Sequence, residues 1–180
     1  MNVCKIISQK KVFQAELFDV QEIKFQLENG KTRVHHVARR VPIVSVLPLT
    51  GSYELYLVSQ NRYMLGATTL EVMAGHVGKN ETMLAAAKRE LKEETGITAN
   101  QWEELARIQM AGSVFKSSVN IFLAKELEEG TSDPDSGEDI KVIKMPLNTA
   151  VDKVINGEIN NASSIIGILL LDKLRREKKL

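Results

Sequence analysis

The chain has 180 residues, of which 43% are hydrophobic and 26% charged, which is enough for one domain with a buried core. Its 24 basic and 23 acidic residues leave a net charge of +1, so it lacks the global basic field that recruits nucleic acid. The single cysteine, Cys4, excludes an intramolecular disulfide and a zinc cluster of thiolates.

No segment has the length of a membrane span or the pattern of a secretory signal. The longest apolar stretch, residues 165–171, is far shorter than the roughly 20 residues that cross a bilayer. Residues 1–11 contain no apolar core of a signal peptide. The sequence therefore predicts a cytoplasmic protein with no membrane partner.

Residues 12–73 predict β-structure, because hydrophobic and β-branched residues alternate or cluster there in short runs. The runs are residues 12–18, 23–27, 32–38, 43–47, 55–59 and 68–73. Asn29-Gly30, between the second and third runs, is a strong signal for a hairpin turn.

The pattern changes between residues 81 and 95, which contain neither glycine nor proline and favour a helix. An apolar stripe along this helix consists of Leu84, Ala87 and Leu91. Asn80 is the candidate N-cap, and Gly96 is the candidate residue at which the helix stops.

The remainder of the chain predicts further strands and two helices. Strand character resumes at residues 102–110, 119–124 and 140–145, with an acidic loop over residues 128–138. Asn148 or Thr149 can cap a short helix that ends at Gly157, and residues 162–178 form a longer amphipathic helix.

Acidic side chains crowd one side of the helix over residues 81–95. At 100° per residue, Glu90, Glu93 and Glu94 fall within an arc of roughly 100°, where like charges repel. A solvated surface helix is the ordinary explanation, but a bound cation would compensate the repulsion. Since the cluster offers only oxygen ligands, Mg²⁺ fits best, with Mn²⁺ as the alternative. Arg89 is placed to orient these carboxylates.

The spacing of residues before, within and after this helix favours a bound cation over a solvated surface helix. Gly75, five residues, Glu81, seven residues and then the run from Arg89 to Ile97 resemble the Nudix box with every defining position filled. Segments 60–63, 70–75, 137–140 and 161–166 resemble the ADP-ribose pyrophosphatase branch of that family. The resemblance implies an α/β fold, the Nudix α/β/α sandwich around a mixed sheet. Residues 1–40 would form an N-terminal antiparallel sheet for homodimerisation and the substrate site, and residues 41–180 the Nudix domain.

The resemblance also implies roles for individual residues. The metal ligands would be Glu90, Glu94, the backbone carbonyl of Ala74, and Glu93, which completes the cluster. Glu81 would steady Arg89, and Arg89 and Glu93 are expected in the catalytic machinery. The expected general base is Glu138, with Asp135 and Asp139 as alternatives in the same loop. The expected substrate contacts are Arg62, Glu71 and Arg40, beside Arg39.

The activity implied is Mg²⁺-dependent cleavage of the pyrophosphate bond of ADP-ribose or a related nucleoside-diphosphate sugar. Residues 110–116 lack the proline and the acid that the branch often has there, and Met73 replaces a frequent proline. These departures leave another dinucleotide-type substrate open. A non-catalytic Nudix sensor is a second alternative, although the box retains all its glutamates. The near-neutral charge argues against nucleic-acid processing.

Overall fold

The protein, studied as a computed structural model, is described over residues 4–112, 114–131 and 139–180. That part of the chain contains ten strands and three helices, with a mixed sheet, which confirms the predicted α/β class. It forms two compact units, Met1–Pro42 with Ile108–Val119, and Ile43–Arg107 with Asn120–Leu180. The first unit therefore contains the predicted N-terminal subregion of residues 1–40 together with a segment from much later in the sequence.

The first unit is built on three antiparallel strands, β1 (Lys5–Gln14), β2 (Phe18–Gln26) and β3 (Thr32–Arg40). The predicted hairpin turn at Asn29-Gly30 is confirmed, since Gly30 has φ +78° and Leu27 N–H donates to the Lys31 carbonyl. The predicted run at 12–18 was wrong in its bounds, because a turn separates β1 from β2. The start of β9 (Phe115–Glu128) pairs in parallel with β3.

The second unit holds the remaining strands and the second part of β9. Its strands are β4 (Ile43–Pro48), β5 (Glu54–Arg62), β6 (Ala67–Glu71), β7 (Met73–His76), the first part of β8 (Thr98–Ala111) and β10 (Ile140–Pro146). Strands β4 and β7 pair antiparallel, and β5 lies between β6 and β10. The predicted run at 68–73 is therefore two strands, with Val72 between them.

Three helices complete the second unit: α1 (Met83–Thr95), α2 (Leu147–Ile155) and α3 (Ala162–Arg176). The N-cap of α1 is Thr82, not Asn80, because Thr82 Oγ1 accepts from Ala85 N–H at 3.1 Å. Gly96 ends the helix as predicted, in the left-handed conformation at φ +73°. None of the helices in the described residues is long and apolar enough to cross a membrane.

Helix α1 contributes one face to the core of the second unit. Ala87 and Leu91 are fully buried, while Leu84 of the predicted stripe stays partly exposed. The core around them includes Val44, Val46, Met73 and Phe122. This packing holds α1 against β4 and β7, so the buried face of the helix borders strand β7.

The predicted caps of α2 are wrong. The helix starts at Leu147 with Pro146 at the N-cap and no side-chain cap, so Asn148 and Thr149 lie inside it. Pro146 is also the last residue of β10, so the helix follows the strand without a connecting loop.

Candidate active site

The side chain of Arg89 joins the acids that the sequence pattern singled out. Its guanidinium carries five N–H donors and makes five hydrogen bonds. Nε donates to Glu81 Oε1 at 3.0 Å, and Nη1 donates to Glu90 Oε1 at 2.7 Å and to Glu93 Oε2 at 2.9 Å. Nη2 donates to Glu81 Oε2 at 3.2 Å and to the carbonyl of His76 at 3.0 Å. One arginine therefore connects three carboxylates to the end of β7.

The helical geometry and one turn of chain explain this convergence. Glu93 lies one helical turn beyond Arg89, where side chains four residues apart meet. Glu81 lies before the helix, and its Oε2 also accepts from Gly78 N–H at 2.8 Å. The hydrogen bonds from Arg89 hold the pKa of Glu81 below its ordinary value. Glu81 thus links the turn before α1 to the arginine, as expected for a residue that steadies Arg89.

The carboxyl group of Glu90 lies directly on the backbone of Gly75. A Cβ atom at Gly75 would be 1.9 Å from Glu90 Cδ, so only glycine leaves room for this carboxyl group. Glu90 is 8% exposed, and burial raises its pKa above the ordinary value despite the bond from Arg89. A buried carboxylate with a raised pKa gains most from a cation placed beside it.

The donor set suits a hard divalent cation. Glu90 and Glu93 accept from the same Arg89 nitrogen, so one oxygen of each carboxylate lies within 2.9 Å of that nitrogen. Ala74, expected to offer its carbonyl, precedes Gly75 in β7 and pairs with Ser45 of β4. Glu94 lies on the same helix, and its Oε2 atom is buried. Carboxylate and carbonyl oxygens are the ligands that Mg²⁺ and Mn²⁺ prefer.

Arg89 also limits the site in its present arrangement. Within the described residues, no group of three acidic, histidine or cysteine side chains is arranged to hold a metal ion. Arg89 Nη1 already contacts one oxygen of Glu90 and one oxygen of Glu93. Arg89 therefore competes with a cation for these two oxygens.

Two of the expected substrate contacts pair with each other. Arg62 donates to Glu71 through Nε at 3.1 Å and Nη2 at 2.8 Å. Glu71 is 3% exposed, whereas the side chain of Arg62 is 38% exposed. Burial by itself would raise the pKa of Glu71, but the hydrogen bonds from Arg62 and Thr69 outweigh it and the pKa is lowered. Arg62 retains surface for a ligand, and Glu71 is enclosed by protein.

The other expected residues lie in the first unit, just before β10, or outside the described part of the chain. Arg40 is exposed at the end of β3 in the first unit, and its neighbour Arg39 makes a two-point ion pair with Asp19 at 2.8–3.0 Å. Asp139 is exposed just before β10. The expected base Glu138 and its alternative Asp135 lie outside the described residues.

The polar residues at the start of α3 received no individual role in the sequence analysis. Asn161 caps this helix by accepting from Ser163 N–H at 3.0 Å and Ser164 N–H at 3.3 Å. Ser164 Oγ accepts from Val72 N–H at 3.1 Å. An asparagine before an apolar helical run is itself a cap signal, so Asn161 could have been found, but the partner of Ser164 could not.

Comparisons with known sequences and structures show what this chain is similar to. The family described as NUDIX domain matches residues 39–164. The chain is 29% identical to the ADP-ribose pyrophosphatase of Bacillus subtilis (strain 168) over 169 residues, 93% of this chain and 91% of the relative. It is 28% identical to the ADP compounds hydrolase NudE of Escherichia coli (strain K12) over 170 residues, 92% of this chain and 90% of that protein. A solved structure of an ADP compounds hydrolase superposes with a TM-score of 0.84 at 25% identity, covering 100% of this chain and 98% of the other.

Proposed function

The chain belongs to the Nudix family, and we propose that it hydrolyses the pyrophosphate bond of ADP-ribose or a related nucleoside-diphosphate sugar. The products are a nucleoside monophosphate and a sugar phosphate, which are AMP and ribose 5-phosphate when the substrate is ADP-ribose. Relatives named for ADP-ribose and ADP compounds, aligned over more than nine-tenths of the chain, support this substrate class. The observation that carries the proposal is the cluster of Glu81, Glu90 and Glu93 around Arg89, with Glu90 seated on Gly75.

We expect Mg²⁺, with Mn²⁺ as a substitute, to be held by Glu90, Glu93, Glu94 and the carbonyl of Ala74. When bound, the metal neutralises charge on the diphosphate and lowers the pKa of a coordinated water. The raised pKa of Glu90 supports this assignment, because burial without a cation disfavours its ionised form. Arg89 holds Glu90 and Glu93 at fixed positions, and Glu81 fixes Arg89 in turn.

The reaction adds one water to the diphosphate. The water oxygen bonds to one phosphorus, the bond from that phosphorus to the bridging oxygen breaks, and the bridging oxygen leaves with the second phosphate. A carboxylate takes the proton of the attacking water, and the expected base is Glu138, with Asp135 and Asp139 as alternatives. Arg62 and Arg40 are the expected substrate contacts. Arg62 is better placed for this role than Glu71, since the side chain of Arg62 is 38% exposed and Glu71 is 3% exposed.

A homodimer in the cytoplasm completes the proposal. In the single chain, β1 is exposed along its whole length, and its apolar side chains include Ile6, Ile7, Val12 and Phe13. An exposed edge strand with this composition is unusual for a monomer and favours pairing with a second copy. The single cysteine suits a reducing compartment.

The test is a panel of nucleoside-diphosphate compounds incubated with purified protein and Mg²⁺, with products identified by chromatography and mass. We expect ADP-ribose or a nucleoside-diphosphate sugar to give the monophosphate. Glu93→Gln and Glu94→Gln should abolish turnover, whereas Glu103→Gln, an exposed acid on β8, should not. Thermal stabilisation by a nucleotide without any product would instead indicate a binding module, and turnover unaffected by both box variants would refute the assigned site.

A further inference from the structure

The N-terminus of α3 holds the chain between β6 and β7 in two ways. Asn161 Nδ2 donates to Glu71 Oε2 at 3.3 Å, while its Oδ1 caps the helix. Three residues on, Ser164 Oγ accepts the backbone N–H of Val72 at 3.1 Å. The N-terminus of α3 therefore binds both the side chain of Glu71 and the backbone of Val72.

The spacing along α3 allows this close approach. Asn161, Ser164 and Gly167 recur every three residues and so lie along one face of the helix. Ser164 has no exposed surface, and a Cβ atom at Gly167 would lie 2.8 Å from Leu47 Cδ1 on β4. Small residues on this face let the helix rest directly on the strands, with the Ser164 hydroxyl at the backbone of Val72.

The carboxylate of Glu71 is fully occupied by protein donors. Its Oε1 accepts from Arg62 Nε and from Thr69 Oγ1 at 2.5 Å. Its Oε2 accepts from Arg62 Nη2 and from Asn161. A carboxylate accepts about four hydrogen bonds, so these four contacts leave it no need of a ligand. The arrangement is that of an internal link between β5, β6 and α3.

The segment held in this way leads straight into the proposed metal site. Val72 is followed by Met73 and then by Ala74, whose carbonyl is an expected metal ligand, and by Gly75, which seats Glu90. Strand β7 has only four residues, so its position depends on β4 on one side and on what fixes its start. The Ser164 bond fixes that start.

We infer that Glu71, Asn161 and Ser164 are positioning residues, which hold the segment from Val72 to Gly75 so that Ala74 and Glu90 can bind the metal ion. The inference rests on the proposed metal-dependent function. It gives Glu71 a role in metal binding through the backbone, in place of a contact with the nucleoside. Residues behind direct ligands commonly change metal affinity by about 10- to 100-fold when they are removed.

The experiment measures Mn²⁺ binding to the nucleotide-free protein by the loss of the free Mn²⁺ electron paramagnetic resonance signal. Ser164→Ala removes the acceptor of Val72. Asn161→Ser keeps a capping oxygen but removes the donor to Glu71, so the helix start is retained. Asp172→Asn is the matched control, because it breaks the ion pairs with Arg175 and Arg176 at the other end of α3. Thermal unfolding is recorded for every variant.

We expect Ser164→Ala and Asn161→Ser to weaken Mn²⁺ binding by roughly tenfold, while Asp172→Asn lowers the melting temperature without changing Mn²⁺ affinity. At saturating metal, substrate KM should stay unchanged in both positioning variants. Unchanged Mn²⁺ affinity in both variants would overturn the inference, and so would an equal loss in the control. Glu71→Gln with raised KM and unchanged Mn²⁺ affinity would assign Glu71 to the substrate instead.

The proposed activity and this inference can be refuted by different results. Wild-type protein that binds Mn²⁺ but hydrolyses no diphosphate compound refutes the proposed activity, and the Mn²⁺ affinities of the variants still decide the positioning role. Wild-type protein that binds no Mn²⁺ removes the metal site and overturns the positioning role with it.

Discussion

A single methyl group at Gly75 should disable the site while leaving the fold intact. In Gly75→Ala the new Cβ would lie 1.9 Å from Glu90 Cδ and Oε1 and 2.3 Å from Oε2. Ordinary contact between carbon atoms is about 3.5–4.0 Å, so the carboxyl group must move by roughly 1.5–2 Å. The group is the end of a flexible side chain, and it will move before the backbone of β7 does.

The size of that movement determines how much metal binding and folding stability are each reduced. Mg²⁺ binds oxygen at about 2.0–2.1 Å and tolerates little distortion, so a shift of this size removes Glu90 from the coordination sphere. Crowding in a packed site costs about 1–3 kcal/mol, and each kcal/mol lowers the melting temperature by about 2–4 °C for a chain of this size. We therefore expect a folded protein with a large loss of Mn²⁺ affinity and of kcat.

The measurements are Mn²⁺ binding, steady-state hydrolysis and thermal unfolding, with Gly51→Ala as the control. Gly51 has no atom within 4 Å of its added Cβ, so Gly51→Ala should behave as wild type. In a Glu90→Ala background the Gly75→Ala change should cost no further stability, because the clashing group is gone. Wild-type Mn²⁺ affinity in Gly75→Ala would refute the placement of Glu90, and a stability penalty that persists without Glu90 would refute the clash.

Three further predictions concern Arg89, Glu71 and Leu91. Arg89→Lys replaces five directed hydrogen bonds by one ammonium group, so kcat should fall by roughly 10- to 100-fold with the helical circular dichroism retained. Because pairing lowers the pKa of Glu71 from 4.5, its stabilisation is present above that pH and is lost as the pH falls through the lowered pKa. The stability difference between wild type and Glu71→Gln in urea should therefore shrink below pH 4.5, and a difference that grows there would contradict the pairing. Leu91→Ala leaves a cavity in the core under α1 and should cost about 2–5 kcal/mol in urea unfolding, whereas a loss below about 1 kcal/mol would mean that the site collapses to fill it.

The sequence determined the elements whose signals are local. Asn29-Gly30 favours left-handed backbone and marked the hairpin between β2 and β3, and the run from Glu81 to Thr95 ended at Gly96 as predicted. The box pattern also located the acids that meet around Arg89, because Arg89 and Glu93, four residues apart on a helix, share a face whatever surrounds them. Local spacing therefore predicted which acids gather around Arg89.

Local signals failed where two candidate residues competed. Asn80 and Thr82 are both good caps, and the choice depends on which one the chain carries into extended backbone. Asn80 has φ +66° in the turn, so Thr82, at φ −81°, becomes the cap. The local sequence contains both residues, but it does not show the backbone conformation of the turn that precedes the helix.

Only the tertiary structure decided the environment of the acids. Glu71 and Glu90 look alike in the sequence, yet Arg62, Thr69 and Asn161 enclose the first, and the second lies on Gly75. Asn161 is 90 residues from Glu71 in the chain, and no periodicity connects them. A pKa and a hydrogen-bond partner depend on which distant segments pack together, because burial and charge act through space.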